Sequence, residues 1–293
     1  MIAAAREVAI GGGDAVSADD VALAEAAVAA MRDELELYPK PGLVSPVDSG
    51  AHDDMDYDLM CRSAASLRLP FARIAAAGRQ GHSFEAALAP LGRDAERAML
   101  QATGGVNTHR GAIFSLGLIV AAIARMRADA VAPSPTVIQD TLRRDWGTSL
   151  AAHAAQGERA ASHGGVVRQA TGIGGARGEA ARGFPAVFQT GTPVYCDALA
   201  RGLEVTAARV HTLFALMEAV DDTTVLYRGG VEAGRFVRSA AAGFLAAGGC
   251  TREGWFEHAE RLHRTFVARN LSPGGCADLL AATLLVVRCS DLS

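Results

Sequence analysis

The longest apolar run of the chain, residues 111–124, reads GAIFSLGLIVAAIA. A helix that spans a bilayer needs about 20 consecutive apolar residues, so this run predicts a helix buried in a protein core. Alanine-rich stretches recur along the whole chain, and alanine is the strongest helix former. Because no segment shows sustained alternation of apolar and polar residues, the sequence predicts an all-α fold.

The composition indicates which residues build the core and how the chain is organised. Of the 293 residues, 50% are hydrophobic and only 5% are aromatic, so the core must be built from alanine, leucine and valine. We therefore predict a single compact multi-helix domain over residues 1–293, of about ten to twelve helices, with residues 1–16 flexible. A chain with this many apolar residues can also bury a dimer interface, which is compatible with a homodimer.

The charge and the cysteines indicate the compartment. The formal net charge of −4 and the absence of long basic runs argue against a nucleic-acid partner. The five cysteines form no CxxC pair, which makes a structural zinc site unlikely and suits a reducing compartment. The first residues lack the apolar core of a signal peptide. We expect a cytoplasmic protein with no membrane partner.

One loop, residues 38–56, is unusually rich in ionisable groups and reads YPKPGLVSPVDSGAHDDMD. Two prolines bracket Lys40 and hold the backbone extended, so the cation is presented from a stiff loop. A cation for phosphates beside carboxylates for Mg²⁺ is typical of a nucleotide site, and Asp53 and Asp56 are candidate metal ligands. The alternative interpretation is a solvated acidic loop before a helix.

Two glycine-containing segments carry further candidates for substrate binding. Residues 103–111 read TGGVNTHRG and lead into a helix N-terminus, where backbone N–H groups bind phosphate; the alternative is an ordinary cap. Residues 171–185 read TGIGGARGEAARGFP and predict a loop that grips the substrate or, alternatively, one that is merely flexible. The candidate residues are Asn107, His109, Arg110, Arg177, Glu179 and Arg182.

Acidic residues near two later helix ends complete the set. Asp221 and Asp222 follow an apolar helix, and carboxylates at a helix C-terminus are unfavourable unless a divalent cation or an arginine such as Arg228 compensates them. Ser272 is the predicted N-cap of the last helix. Asp278 lies within that helix among apolar neighbours, and a buried carboxylate needs a partner.

Five blocks of the sequence carry a family resemblance: YPKPGLVSPVDSGAHDDMD, ATGGVNTHRGAIF, TGIGGARGEAARGFPAVF, DDTTVLYRGG and NLSPGGCADLLAATLL. Together they resemble the triphosphoribosyl-dephospho-CoA synthase family. The resemblance implies an all-α enzyme that transfers the triphosphoribosyl group of ATP to the 2′-hydroxyl of 3′-dephospho-CoA and releases adenine. The product would pass to a transferase that serves an acyl carrier protein. Arg110 resembles the malonate decarboxylase branch, since the citrate lyase branch more often has lysine there.

With that reaction, the candidate residues take roles according to their chemistry. An oxocarbenium-like state at C1 of the ribose needs carboxylates to stabilise it, and the hydroxyl needs a base. The predicted catalytic residues are Glu36, Asp48, His52, Asp222 and Asp278. The predicted substrate-binding residues are Lys40, Asn107, His109, Arg110, Arg177, Glu179, Arg182 and Ser272, and the predicted Mg²⁺ ligands are Asp53, Asp56, Asp221 and Asp222.

The same residues are compatible with two rival functions. One rival is a Mg²⁺-dependent hydrolase of N-glycosidic or ADP-ribosyl bonds, and the other is a non-catalytic helical partner of a decarboxylase complex. The concentration of polar groups in interhelical loops argues against the second of these functions.

The other histidines lack carboxylate companions at metal spacing and are interpreted as structural or surface residues: His82, His153, His163, His211, His258 and His263.

Overall fold

The computed structural model describes residues 15–156 and 163–290. Within these ranges the chain forms thirteen α-helices and no β-strand, which confirms the predicted all-α fold. Residues 1–14, most of the segment predicted to be flexible, lie outside the described residues. The helices are α1 (Ala18–Leu35), α2 (Tyr57–Ser66), α3 (Arg68–Arg79), α4 (Ala89–Ala102), α5 (Arg110–Ala128), α6 (Pro135–Ala155), α7 (His163–Thr171), α8 (Gly175–Ala181), α9 (Thr192–Ala200), α10 (Val205–Ala219), α11 (Thr223–Ala246), α12 (Trp255–Ala268) and α13 (Gly274–Cys289).

The apolar run forms the centre of the fold, as predicted. It lies in α5, which packs against α3, α6 and α13. In the described part of the chain, α5 is the one helix long and apolar enough to cross a membrane, and 72% of its most apolar stretch is buried inside the protein. The close approach of α3 requires Gly78, because a Cβ there would lie 2.4 Å from the carbonyl oxygen of Ala121.

Helix boundaries follow local chemistry. Ser17 and Asp20 form the capping box expected at the start of α1. The sequence from about residue 54 to residue 77 favours a single helix, but the structure divides it at Leu67 into α2 and α3. Pro70 lies in the first turn of α3, where its missing N–H is tolerated, whereas inside one continuous helix it would break the hydrogen-bond ladder.

The segment predicted to be irregular, residues 157–192, is more helical than expected in its described part. It contains α7, α8 and a π-helical turn, Ala186–Gly191, that continues into α9. A similar π-helical turn, Phe84–Leu88, precedes α4, and a 3₁₀ turn, Gly249–Thr251, follows α11. These short elements have little stability of their own, and α8 is held by packing against α6.

Candidate active site

A cavity of about 850 Å³ lies between α4, α5, α6, the glycine-rich segment 172–179 and the starts of α11 and α13. This volume is in the range of small-molecule sites in proteins. Its wall combines apolar side chains with arginines and carboxylates from distant parts of the sequence. We define it as the central cavity.

Asp222 lies in this cavity at the meeting point of two helix N-termini. Its Oδ1 atom accepts hydrogen bonds from the backbone N–H of Thr224 at 2.8 Å and of Val225 at 3.3 Å, which caps α11. Its Oδ2 atom accepts from the backbone N–H of Cys276 at 2.8 Å, in the first turn of α13. Burial raises the pKa of Asp222, and these backbone donors oppose the shift. The carboxylate is therefore fixed in place by three donors.

Asp278 presents a second carboxylate to the cavity from α13. It lies over the first turn of α5, where the N–H of Ala112 donates to it. A Cβ at Gly111 would lie 2.0 Å from Asp278 Oδ2, so glycine is required there. Burial raises the pKa of Asp278 well above its ordinary value, and the carboxylates of Glu34 and Asp222 raise it further. A carboxylate with a raised pKa is a stronger base than an exposed one.

Five arginines supply positive charge to the same cavity. Arg110 Nε donates to Glu96 at 3.1 Å, and Arg182 Nη2 donates to Glu179 at 2.6 Å. Glu179 also accepts from the backbone N–H of Ala186, which fixes this pair against the π-helical turn. Guanidinium groups bind phosphates through paired hydrogen bonds. The arginines of the cavity wall are Arg93, Arg110, Arg168, Arg177 and Arg182.

An aromatic cluster lies along another part of the cavity wall. The ring of His153 is 5.1 Å from that of Phe84 in an edge-on arrangement and 6.1 Å from that of Phe114 in a stacked arrangement. Phe114 follows Gly111 by three residues on α5, so both project to one side of the helix. We call Phe84, Phe114 and His153 the aromatic trio.

Half of the residues predicted from sequence line this cavity and half do not. Those that line it are Asn107, Arg110, Arg177, Glu179, Arg182, Asp221, Asp222 and Asp278. Those that do not are Glu36, Lys40, Asp48, His52, Asp53, Asp56, His109 and Ser272.

Lys40 does not lie on the cavity wall where a triphosphate would contact it. Its side chain is 1% exposed, and Nζ donates to Glu34 Oε1 at 2.6 Å and to the Glu34 carbonyl oxygen at 2.8 Å. The loop is not extended as predicted, because the N–H of Leu43 donates to the Lys40 carbonyl oxygen at 3.2 Å and closes a turn. The cation is directed into the protein rather than towards a ligand. Lys40 is the partner of a buried glutamate that lies close to Asp278.

His109 is buried as well and binds Ser63, with 2.7 Å between His109 Nδ1 and Ser63 Oγ. Burial, and secondarily the charge of Lys40, lowers the pKa of His109 to about 3, so the ring is neutral at physiological pH. A neutral buried ring offers no cation to a phosphate. Its Nε2 atom has no hydrogen-bond partner among the described residues.

Most of the other candidates in residues 36–56 have structural partners outside the cavity. Asp48 Oδ2 lies 3.0 Å from His263 Nε2, and His52 Nε2 lies 2.9 Å from Ser272 Oγ. Ser272 therefore binds His52 instead of capping α13, whose N-cap position is Pro273. The two remaining acidic candidates, Glu36 and Asp53, are exposed.

The four predicted metal ligands do not converge. Asp56 caps α2 by accepting from the backbone N–H of Leu59, and Asp53 is outside the cavity. Asp222 caps the helix that follows it, so its charge meets the favourable end of a helix dipole rather than the unfavourable end. Asp221 binds Arg238 at 3.1 Å, not Arg228. Within residues 15–156 and 163–290, no group of three or more His, Cys, Asp or Glu side chains is arranged to hold a metal ion.

Sequence reasoning missed several residues of the cavity wall. Arg93 and Glu96 lie on α4, Arg168 lies on α7, and His153 lies near the end of α6. The pattern of α4 gave a usable signal, since Arg93 and Glu96 share one face of an amphipathic helix. His153 gave none, because its aromatic neighbours are far away in sequence.

Comparison with known proteins agrees with the resemblance of the five sequence blocks. The family model described as ATP:dephospho-CoA triphosphoribosyl transferase matches residues 20–293. A protein of Pseudomonas aeruginosa (strain UCBPP-PA14), named "Probable 2-(5''-triphosphoribosyl)-3'-dephosphocoenzyme-A synthase", is 42% identical over 277 residues, which cover 92% of each chain. Proteins with the same name from Stutzerimonas stutzeri (strain A1501) and Acinetobacter calcoaceticus are 41% and 36% identical and cover 91% and 88% of each chain. No solved structure matches the chain significantly.

Proposed function

The chain belongs to the ATP:dephospho-CoA triphosphoribosyl transferase family, and from this premise we propose that the central cavity is where ATP and 3′-dephospho-CoA react. The enzyme class predicted from sequence is confirmed: the chain is a transferase of the triphosphoribosyl-dephospho-CoA synthase type. The hydrolase alternative gains no support from the family or from the names of the relatives.

The single observation that carries the proposal is that one cavity joins five arginines to the carboxylates of Asp222 and Asp278. A triphosphate needs several cations, and a ribosyl cation needs negative charge beside C1. The arginines come from α4, α5, α7 and the region of α8, whereas Asp222 and Asp278 lie at the starts of α11 and α13. The cavity thus brings cations for the phosphates and carboxylates for the reacting carbon into one space.

The reaction then follows from these residues. The bond between C1 of the ATP ribose and N9 of adenine breaks, and a new bond forms between C1 and the 2′-oxygen of dephospho-CoA. The ionised form of Asp278 accepts the proton of that hydroxyl, since its environment makes its carboxylate the more basic of the two. Asp222 faces the positive charge that develops at C1. Adenine leaves with the electron pair of the broken bond and takes a proton.

We assign the base of ATP to the aromatic trio. A purine presents two flat faces and prefers to stack on aromatic rings, and these are the aromatic side chains that line the cavity in the part of the chain that the structure describes. Phe114 is one helix turn from the place where Asp278 lies over Gly111. A base held by the trio therefore leaves its ribose beside the carboxylates.

The cavity also fits a Mg²⁺ ion that enters with ATP. Such an ion takes one or two carboxylates and completes its shell with phosphate oxygens and water, so four protein ligands are not needed. Asp221 and Asp222 are adjacent on the cavity wall, and we propose that they hold it. When bound, the ion would neutralise part of the triphosphate charge. Calorimetry of Mg-ATP binding to Asp222→Asn tests this role, and an unchanged magnesium dependence would contradict it.

Mass spectrometry tests the proposed function directly. Purified protein is incubated with ATP, Mg²⁺ and 3′-dephospho-CoA, and we expect a CoA adduct heavier by one triphosphoribosyl unit, with an equal amount of free adenine. Adenine released without the adduct would indicate hydrolysis, and an absence of ATP consumption would reject catalysis. Retained binding to a carrier protein in that last case would favour a non-catalytic partner.

We further propose that the product serves malonate decarboxylase and that the enzyme is cytoplasmic. Arg110, the residue that resembles the malonate branch, lies on the cavity wall and pairs with Glu96. The five cysteines are all free thiols, as expected in a reducing compartment. Incubating the product with the matching transferase and each carrier protein separates the two pathways. Labelling of the citrate lyase carrier alone would overturn this assignment.

A further inference from the structure

A second cavity of about 570 Å³ adjoins the central cavity. Thr190 and Ala219 line both, so the two spaces meet at the end of α10. The second cavity continues from there between α9, α10 and the C-terminal end of α11. We call it the α10 groove.

The groove opens at the carboxylate region of the central cavity. Ala219 is three residues before Asp222, which interacts electrostatically with Asp278. Asp278 lies over Gly111, and Phe114 follows one helix turn later. Along this series of contacts, the two carboxylates separate the α10 groove from the aromatic trio. A molecule that reacts between the carboxylates therefore has two different directions in which to extend.

The wall of the groove includes apolar and hydroxyl side chains in addition to Arg201, His211 and Glu218. Val194, Ala215 and Leu245 supply apolar contacts, and Thr190 and Thr251 supply hydroxyl groups. It follows α10 from Ala219 back to His211, and eight residues of helix correspond to about 12 Å. A space of this length and mixed polarity suits a linear chain that carries both methyl groups and amides.

The charges in the groove disfavour a phosphate. Glu218 lies on its wall, and Arg201 is paired with Asp197 at 3.4 Å. The triphosphate of ATP is better served by the five arginines of the central cavity. Among the two substrates, only 3′-dephospho-CoA has a long uncharged part, its pantetheine arm.

We infer that the α10 groove binds the pantetheine arm of 3′-dephospho-CoA, an inference that rests on the proposed function. The two substrates then enter from opposite sides of the reaction centre, ATP from the aromatic trio and the acceptor from the groove. The acceptor ribose, which carries the attacking hydroxyl, is placed beside Asp222 and Asp278.

Steady-state kinetics with a matched pair of variants tests this inference. Val194→Trp places an indole in the groove, whereas Leu199→Trp places one on the exposed surface of the same helix, away from the groove. We expect Val194→Trp to raise the KM for 3′-dephospho-CoA at least tenfold and to leave the KM for ATP within twofold. Leu199→Trp should change neither constant. Glu218→Trp, at an exposed groove position on α10, provides a second blocking variant should the first not fold.

The outcomes separate the two proposals. If the wild-type enzyme forms the adduct but both groove variants keep the KM for 3′-dephospho-CoA, the groove assignment is overturned and the proposed function stands. An equal rise in both KM values would also overturn it, because that pattern indicates a general disturbance of the cavity. If the wild-type enzyme forms no adduct, the proposed function fails and this inference fails with it.

Discussion

At the scale of single residues, Asp278 is the cavity carboxylate whose pKa is raised furthest above its ordinary value. Its carboxylate is desolvated, it lies near Glu34 and Asp222, and it has one backbone donor from Ala112. In the unfolded chain the same group has its ordinary pKa of 3.8. The native state therefore retains a proton that the unfolded state has lost, and the free energy of unfolding must fall as the pH rises above 3.8 towards the raised value.

Replacing this carboxylate should separate activity from stability. We expect Asp278→Asn to lower kcat by about 100-fold or more, the contribution typical of a general base. The same change should remove the fall in stability with rising pH, so the stability of the variant relative to that of the wild type should increase as the pH rises above 3.8. Activity assays and chemical denaturation across this range check both effects. A variant with wild-type turnover would exclude Asp278 as the base.

The buried ion pair of Lys40 and Glu34 leads to a different prediction. Both side chains are almost fully buried, and removing one partner leaves an uncompensated charge. We expect Lys40→Met to lower the free energy of unfolding by about 3–5 kcal/mol. The exposed pair of Arg68 and Glu25 provides the control, and Arg68→Met should cost no more than about 1 kcal/mol.

Urea denaturation of the two variants measures this difference. The double variant Lys40→Met with Glu34→Gln should recover part of the loss, because the isolated carboxylate is then gone. If Lys40→Met instead kept its stability and raised the KM for ATP, the phosphate role predicted from sequence would be correct.

At the scale of elements, one carboxylate joins two helices. Asp222 caps α11 and also accepts the backbone N–H of Cys276 in α13. The two helix starts are therefore positioned relative to each other by a single side chain. Since Asp278 lies on α13, this arrangement also sets where the second carboxylate points.

Removing the shared cap should cost more than removing an ordinary one. We expect Asp222→Ala to lower the free energy of unfolding by about 2–3 kcal/mol, because three backbone donors lose their acceptor. Ser134→Ala removes the single cap bond of α6 and should cost about 1 kcal/mol. Asp222→Asn should keep the two bonds that cap α11 but lose the bond from Cys276, whose N–H would face the amide NH2, so its stability should lie between those of the wild type and Asp222→Ala, and it should lose turnover. Thermal melts and assays distinguish these outcomes, and equal losses in both alanine variants would contradict the shared cap.

At the scale of the whole molecule, the site depends on both halves of the chain. The central cavity is walled by α4 and α5 on one side and by α11 and α13 on another, and one apolar core connects them. A ligand in the cavity therefore has to stabilise the fold as a whole rather than one half of it.

Ligand-dependent unfolding checks this coupling. ATP at about 100 times its Kd should raise the free energy of unfolding by about 2.7 kcal/mol. Trp146 lies in α6 and Trp255 at the start of α12, so tryptophan fluorescence reports on two regions of the fold. If the molecule unfolds as one unit, ATP should shift the unfolding transitions measured by fluorescence and by circular dichroism by the same amount. CTP at the same concentration should produce a smaller shift, since a pyrimidine stacks less well on the aromatic trio. Separate transitions for the two probes would contradict a single cooperative unit.

The sequence by itself determined the fold class, because hydrophobic periodicity and composition act locally. The apolar run of α5 and the capping box of Ser17 can both be identified in the sequence. The same local signals, together with the resemblance of five blocks, indicated the enzyme family, and the family comparison confirmed it.

Only the tertiary structure decided which polar residues share the cavity. Lys40 and Asp278 look equally functional in sequence, yet one pairs with Glu34 inside the protein and the other faces the cavity. His153 lies in the cavity wall beside aromatic rings that come from α5 and from the turn at Phe84. The physical reason is that a side chain's role depends on its burial and its partners, and those partners come from helices far apart in the chain.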